Sequence, residues 1–217
     1  MSPNLYLFDL DGTLVDSAPD LVAAANYVRS TQGLEPLPYE ELRPTASAGA
    51  RGLLGAALGV KPSDENYAEL QKLFLDYYAE HLTDSIALFP GVEEMIRTIE
   101  SRGKQWGIVT NKPKSLTLSV LDHFNWLPAT LICGDTLQRR KPFPDPIMHA
   151  MWELDAEPYE TIYLGDDIRD IQAANAAGVT SLAASWGYLG CVEPIENWRA
   201  DKILTSPSEV TSLELPL

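Results

Sequence analysis

Leu5-Tyr6-Leu7-Phe8-Asp9-Leu10-Asp11-Gly12-Thr13-Leu14-Val15 is a short apolar run that ends in two carboxylates spaced by one residue. The run is too short for a helix and rich in residues that suit strands, and an Asp-Gly turn signal follows it directly. In a strand, residues i and i+2 point the same way, so Asp9 and Asp11 leave a buried strand side by side if the chain stays extended. Two such carboxylates repel, and a divalent cation is the usual way to keep both ionised. An acidic hairpin turn would carry the same residues. The rest of the chain discriminates between the two.

The chain has 217 residues, 45% of them hydrophobic, enough to bury a core in one domain or in one domain with an insert. With 16 Lys and Arg against 31 Asp and Glu, the net charge is −15. So acidic a chain is poorly suited to nucleic acid or anionic membrane, both of which need clustered basic residues. A phosphate ligand would have to be drawn in by a local metal, lysine or helix N-terminus. No basic segment followed by an apolar one marks a leader, and no apolar run is long enough to span a bilayer. Cys133 and Cys191 lack metal-like spacing and read as free, structural thiols of a reducing cytoplasm.

After Asp16, Ser17-Ala18-Pro19-Asp20 reads as a helix start capped by Ser17 or Asp16. Leu21, Ala24, Ala25 and Val28 share a face, and Gly33 closes the segment. Ala46 to Gly59 is small and glycine-rich, with Arg51 its one charge. Ser63-Asp64-Glu65 reads as the start of a long helix with Leu70, Leu73, Phe74, Tyr77 and His81 on one face. From Leu88-Phe89-Pro90-Gly91 onward, strands alternate with helices, as in a parallel α/β sheet. Strands are expected at 105–109, 130–133, 161–164, 179–183 and 202–204. The chain therefore reads as an α/β protein: a Rossmann-like parallel sheet core with helices on both faces and an inserted small all-helical cap. The core takes residues 1–15 and 88–217, the cap 16–87.

Ligands of open α/β sheets collect beyond the carboxyl ends of the strands, and four strand ends carry chemically suggestive groups. The first supplies Asp9 and Asp11. The second ends in Thr110-Asn111, a hydroxyl and an amide before a helix opened by Pro113, which suits an anion. The third leads through Gly134-Asp135-Thr136 to Lys141, in a loop stiffened by Pro142, Pro144 and Pro146. The fourth is Gly165-Asp166-Asp167-Ile168-Arg169-Asp170. Singly, these are a cap, a loop lysine and a turn. Their occurrence together, in this order on alternating strands, is what points to catalysis.

These four stretches resemble the motifs of the haloacid dehalogenase superfamily of phosphotransferases. The first matches Asp9-Leu10-Asp11-Gly12-Thr13-Leu14-Val15-Asp16-Ser17, the second Val109-Thr110-Asn111-Lys112, the third Lys141-Pro142 and the fourth Gly165-Asp166-Asp167-Ile168-Arg169-Asp170. The helical insert, Gly134-Asp135-Thr136-Leu137 and Trp186-Gly187-Tyr188 are similar to the phosphoglycolate phosphatase-like branch. Ala48-Gly49-Ala50-Arg51, Asp166 to Ile171 and Ser185 to Tyr188 also resemble N-acetylmuramic acid 6-phosphate phosphatases.

The resemblance implies a mechanism. Asp9 attacks phosphorus to give an aspartyl-phosphate, and Asp11 protonates the leaving alcohol and then deprotonates the hydrolytic water. Mg²⁺ is held by Asp9, the backbone carbonyl of Asp11 and Asp166, with Asp170 in support and Asp167 in an outer role. Thr110 and the backbone NH of Asn111 hold phosphoryl oxygens, and Lys141 neutralises charge between Asp9 and the phosphate. Gly49 and Arg51, in the cap, are the expected specificity elements, with Arg51 gripping a substrate carboxylate. The expected ligand is thus a small carboxylate-bearing phosphate monoester, phosphoglycolate first and N-acetylmuramic acid 6-phosphate second. The protein is expected to act in the cytoplasm, as a monomer or homodimer. A sugar-phosphate mutase uses the same two aspartates but needs a bisphosphate activator. A dehalogenase would leave Asp11, Asp166 and Lys141 without a joint rationale. A non-catalytic regulatory module would have lost a nucleophile or metal ligand, and none is missing.

Overall fold

The computed structural model describes residues 2–190 and 193–214, so Cys191 lies outside the described residues. β1 (Leu5–Phe8) is buried on both faces. Tyr6 and Phe8 join one apolar cluster while Leu5 and Leu7 join the other, as the two-residue period of a strand requires. After the aspartates come β2 (Val15–Asp16), α1 (Ala18–Thr31), α2 (Tyr39–Leu42), a 3₁₀ segment (Arg43–Ala48), α3 (Gly49–Leu58) and α4 (Tyr67–His81). β3 (Ala87–Leu88) returns antiparallel to β2, with Val15 opposite Leu88. The two segments that lead into and out of the helical stretch are therefore pinned to each other.

α5 (Val92–Ser101), β4 (Gln105–Val109), α6 (Lys114–Phe124), β5 (Thr130–Ile132), α7 (Asp145–Glu153), β6 (Thr161–Gly165), α8 (Ile168–Ala177), β7 (Thr180–Ala184) and β8 (Lys202–Leu204) follow. The sheet has the order β5-β4-β1-β6-β7-β8 and every pairing in it is parallel. The chain runs from β1 outward through β4 to β5, then crosses back to β6 on the other side of β1. That reversal opens a crevice at the carboxyl ends of β4, β1 and β6, where ligands of such sheets bind. The α/β fold read from the sequence is the fold observed.

One local reading is corrected, and a second is resolved between its two alternatives. The long helix begins at Tyr67 rather than at Ser63, because the Asp64 carboxylate accepts from the Lys61 amide at 2.7 Å and closes a separate turn. Its buried face is Tyr67, Leu70, Phe74 and Tyr78, with Leu73 and Tyr77 only partly covered. At α1, Ser17 holds the cap position but its hydroxyl is used elsewhere. The Asp16 carboxylate and the Tyr188 hydroxyl receive the Ala18 amide instead, at 3.2 and 2.9 Å. Among the described residues, no helix is long and apolar enough to cross a membrane.

Candidate active site

Asp9 and Asp11 do not stay side by side. β1 ends at Phe8, and a turn in which the Leu10 carbonyl accepts from the Thr13 and Leu14 amides carries Asp11 away. Each carboxylate meets its own buried lysine. Lys141 Nζ lies 2.9 Å from Asp9 Oδ1, 2.7 Å from Asp170 Oδ1 and 2.8 Å from the Tyr163 hydroxyl. Lys112 Nζ lies 2.9 Å from Asp11 Oδ1 and 2.7 Å from the Tyr78 hydroxyl. Burial disfavours both ammonium groups, yet the neighbouring carboxylates outweigh it and hold both lysines above their ordinary range.

Asp166 is fully buried at the end of β6, where Thr13 Oγ1, the Tyr188 amide and Ser47 Oγ donate to it at 3.0, 2.9 and 3.3 Å. Burial, and then the charges of Asp9 and Asp170, push its carboxyl well above the usual range. Burial likewise raises Asp170 to about 7, against the opposing pull of Lys141. Asp9, Asp166 and Asp170 each present an oxygen within 4.8 Å of the others. Three crowded carboxylates, two of them driven toward the neutral form, are a donor set that suits a hard divalent cation. The Asp11 carboxylate stands outside this trio.

Three glycines make the crowding possible: Gly165, where a Cβ would lie 2.3 Å from Asp170 Cγ, and Gly12 and Gly187 beside Asp166. Gly12 has φ of +84°, and a Cβ there would lie 2.1 Å from Asp166 Oδ2. A Cβ on Gly187 would lie 2.2 Å from Asp166 Cβ. Trp186-Gly187-Tyr188 is thus a wall of the site: Tyr188 reaches from Asp166 to the start of α1, where its hydroxyl accepts from the Ser17 amide at 2.7 Å.

Thr110 and Asn111 follow β4 and line the same cleft, which encloses about 630 Å³. Asn111 Nδ2 donates to the Lys141 carbonyl at 3.0 Å, tying the second strand-end loop to the third. Asp135 caps α6 by accepting the Lys114 amide at 2.9 Å, and Thr136 accepts the Cys133 amide, so this stretch is scaffold. Asp167 caps α8 and binds Arg169, whose guanidinium at 2.7 Å is the main influence holding its carboxyl low against burial. Arg169 Nη2 also donates to the Ser47 carbonyl. Gly49 and Arg51, at the start of α3, line the same cleft. Among the described residues Arg51 makes no ion pair.

Lys112, Tyr78 and Tyr163 have no individual role in the sequence reading, although Lys112 closes the second motif. Lys112 directly follows Thr110-Asn111, and its burial between the β1 loop and α4 is a tertiary fact. Tyr78 stands one position from the helical stripe expected there, and Tyr163 reads only as part of a buried apolar strand.

Residues 6–184 match the family model described as haloacid dehalogenase-like hydrolase. The chain belongs to that family. It is 42% identical over 211 residues to a phosphoglycolate phosphatase of Xanthomonas campestris, covering 96% of this chain and 95% of that protein. To the N-acetylmuramic acid 6-phosphate phosphatase of Pseudomonas aeruginosa it is 34% identical, covering 94% and 91%. A solved structure described as a predicted phosphoglycolate phosphatase, from Haemophilus somnus, superposes with a TM-score of 0.83 at 26% identity over 98% of both chains. These relatives place this haloacid dehalogenase-like hydrolase among the phosphatases.

Proposed function

We propose that the protein is a Mg²⁺-dependent phosphate monoester hydrolase that works through an aspartyl-phosphate on Asp9. The carrying observation is Asp9 itself: a carboxylate at a strand end, 2.9 Å from a buried ammonium, whose oxygen lies within 4.8 Å of those of Asp166 and Asp170. Asp9, Asp166, Asp170 and the Asp11 carbonyl would hold Mg²⁺, which supplies charge neutralisation at the phosphoryl oxygens when bound. Thr110 and the Asn111 amide receive those oxygens, and Lys141 stabilises the charge that spreads over them in the transition state. Asp11 hands its proton to the leaving oxygen and takes one from the water that cleaves the intermediate. Residues 16–87 act as a cap over a core of residues 1–15 and 88–217, and the work is cytoplasmic.

The leaving group is a small carboxylate-bearing alcohol gripped by Arg51, and phosphoglycolate is its first candidate, supported by the Xanthomonas relative. One observation favours N-acetylmuramic acid 6-phosphate instead. A cleft of about 630 Å³, with Leu21, Tyr67, Phe74 and Leu75 along it, is in the range that encloses sugar- or drug-sized ligands rather than two-carbon ones. Phosphate release from the two compounds side by side, with and without Mg²⁺, tests the reading. Preference for phosphoglycolate, abolished by EDTA, is expected. Preference for the amino-sugar phosphate moves the assignment to the second reading, and no release from either overturns both.

A further inference from the structure

We propose that Lys112 is the positioning residue for Asp11, and that Tyr78 makes this positioning depend on the helical segment lying over the site. The inference rests on the hydrolase reading above, with Asp11 as proton donor and acceptor.

The three groups come from three places: Asp11 from the loop after β1, Lys112 from the loop after β4, and Tyr78 from α4. Lys112 Nζ donates to Asp11 Oδ1 at 2.9 Å, to Asp11 Oδ2 at 3.1 Å and to the Tyr78 hydroxyl at 2.7 Å. An ammonium has three hydrogens, and these contacts use all of them. Its side chain is 4% exposed and that of Asp11 18%, so solvent offers little replacement. Ser17 Oγ adds a donor to Asp11 Oδ1 at 2.6 Å from the start of α1. The Asp11 carboxylate is therefore fixed by one group from the core and one from the inserted helices. Lys112 is fixed in turn by Tyr78 of those same helices.

The consequence is specific to proton transfer. In the first half-reaction the Asp9 oxygen–phosphorus bond forms, the bond from phosphorus to the leaving oxygen breaks, and the Asp11 proton passes to that oxygen. In the second, a water oxygen bonds phosphorus, the Asp9–phosphorus bond breaks, and the water proton returns to Asp11. An alkyl phosphate needs the proton in the first step, whereas an aryl phosphate with a stable phenolate leaving group does not.

The test compares phosphoglycolate with p-nitrophenyl phosphate in the wild type, Lys112→Met and Tyr78→Phe. Wild-type release that needs Mg²⁺ and is lost in Asp9→Asn is the reference; its failure refutes the hydrolase reading rather than the role of Lys112. In Lys112→Met, phosphoglycolate turnover is expected to fall about 100-fold, on the scale of a lost acid–base contribution. The aryl substrate is expected to give a fast burst of p-nitrophenolate equal to the enzyme present, then slow turnover. Tyr78→Phe deletes a single hydroxyl and is expected to lower kcat in the same pattern with little change in KM. It also keeps the inference testable if Lys112→Met does not fold. Equal loss on both substrates without a burst, or no loss on either, overturns the proposal.

Discussion

Arg169 donates from Nη2 to the carbonyl of Ser47 at 2.7 Å, and so joins the start of α8 to the 3₁₀ segment Arg43–Ala48. The Ser47 hydroxyl in turn lies 3.3 Å from Asp166. Arg43 makes a similar tie, donating to the Gly187 carbonyl and stacking over Tyr188. Arg169 is itself held by Asp167, which gives that carboxylate a structural role beside the aspartate trio. Arg169→Ala is expected to loosen closure, raising KM several-fold more than it lowers kcat. Steady-state kinetics on the preferred substrate checks this, and an effect confined to kcat speaks against it.

Lys141 balances Asp9 and Asp170 in a nearly dry pocket. Removing one partner of a buried pair strands the other, at a cost of roughly 3–5 kcal/mol. Lys141→Met is therefore expected to lose activity by at least about 100-fold and to unfold at lower temperature. Mg²⁺ should stabilise this variant more than the wild type, since the cation takes over part of the lost charge balance. Thermal melts with and without Mg²⁺ read both effects.

Arg51 lines the cleft without a carboxylate partner among the described residues. If it grips the substrate carboxylate, Arg51→Ala raises KM about 10-fold or more for phosphoglycolate and leaves p-nitrophenyl phosphate within a few-fold, the scale of one charged hydrogen bond. Equal changes for both substrates would assign Arg51 to packing.

Asp20 is buried in α1, and its carboxyl is raised mainly by that burial, against the Ser85 amide that donates to it at 3.2 Å. A raised folded-state carboxyl contributes stability below its unfolded value and loses it as pH rises through the folded value. Asp20→Asn keeps an acceptor and removes the charge. It is expected to raise Tm at pH 7 by up to about 4 °C, with the gain shrinking as the pH falls toward 4. Calorimetric melts across that range check the sign.

The α/β alternation after residue 88 was legible because each helix has an apolar stripe and a stop, as at Gly178, and each buried strand is a short apolar run. The strand-end aspartates and Lys141 were legible because loop residues with no packing duty stand out between such runs. What was not legible depends on distance in three dimensions. No spacing reveals that the two neighbouring aspartates part toward separate lysines, or that Tyr78 reaches Lys112 across 34 residues. Which of Ser17 and Asp16 caps α1 stays open in the sequence for the same reason: a hydroxyl can serve the backbone or a tertiary partner, and here Asp11 takes that of Ser17 while Asp16 accepts the Ala18 amide.

Hydrolysis through Asp9 requires a covalent phosphoryl intermediate on its carboxylate. Wild-type protein mixed with substrate and Mg²⁺, quenched in acid within the first turnover and mapped by peptide mass spectrometry, tests it directly. A phosphoryl group is expected on the peptide that carries Asp9, and none in Asp9→Asn. Turnover with no phosphorylated peptide, or with the phosphoryl group on another residue, would contradict covalent chemistry at Asp9.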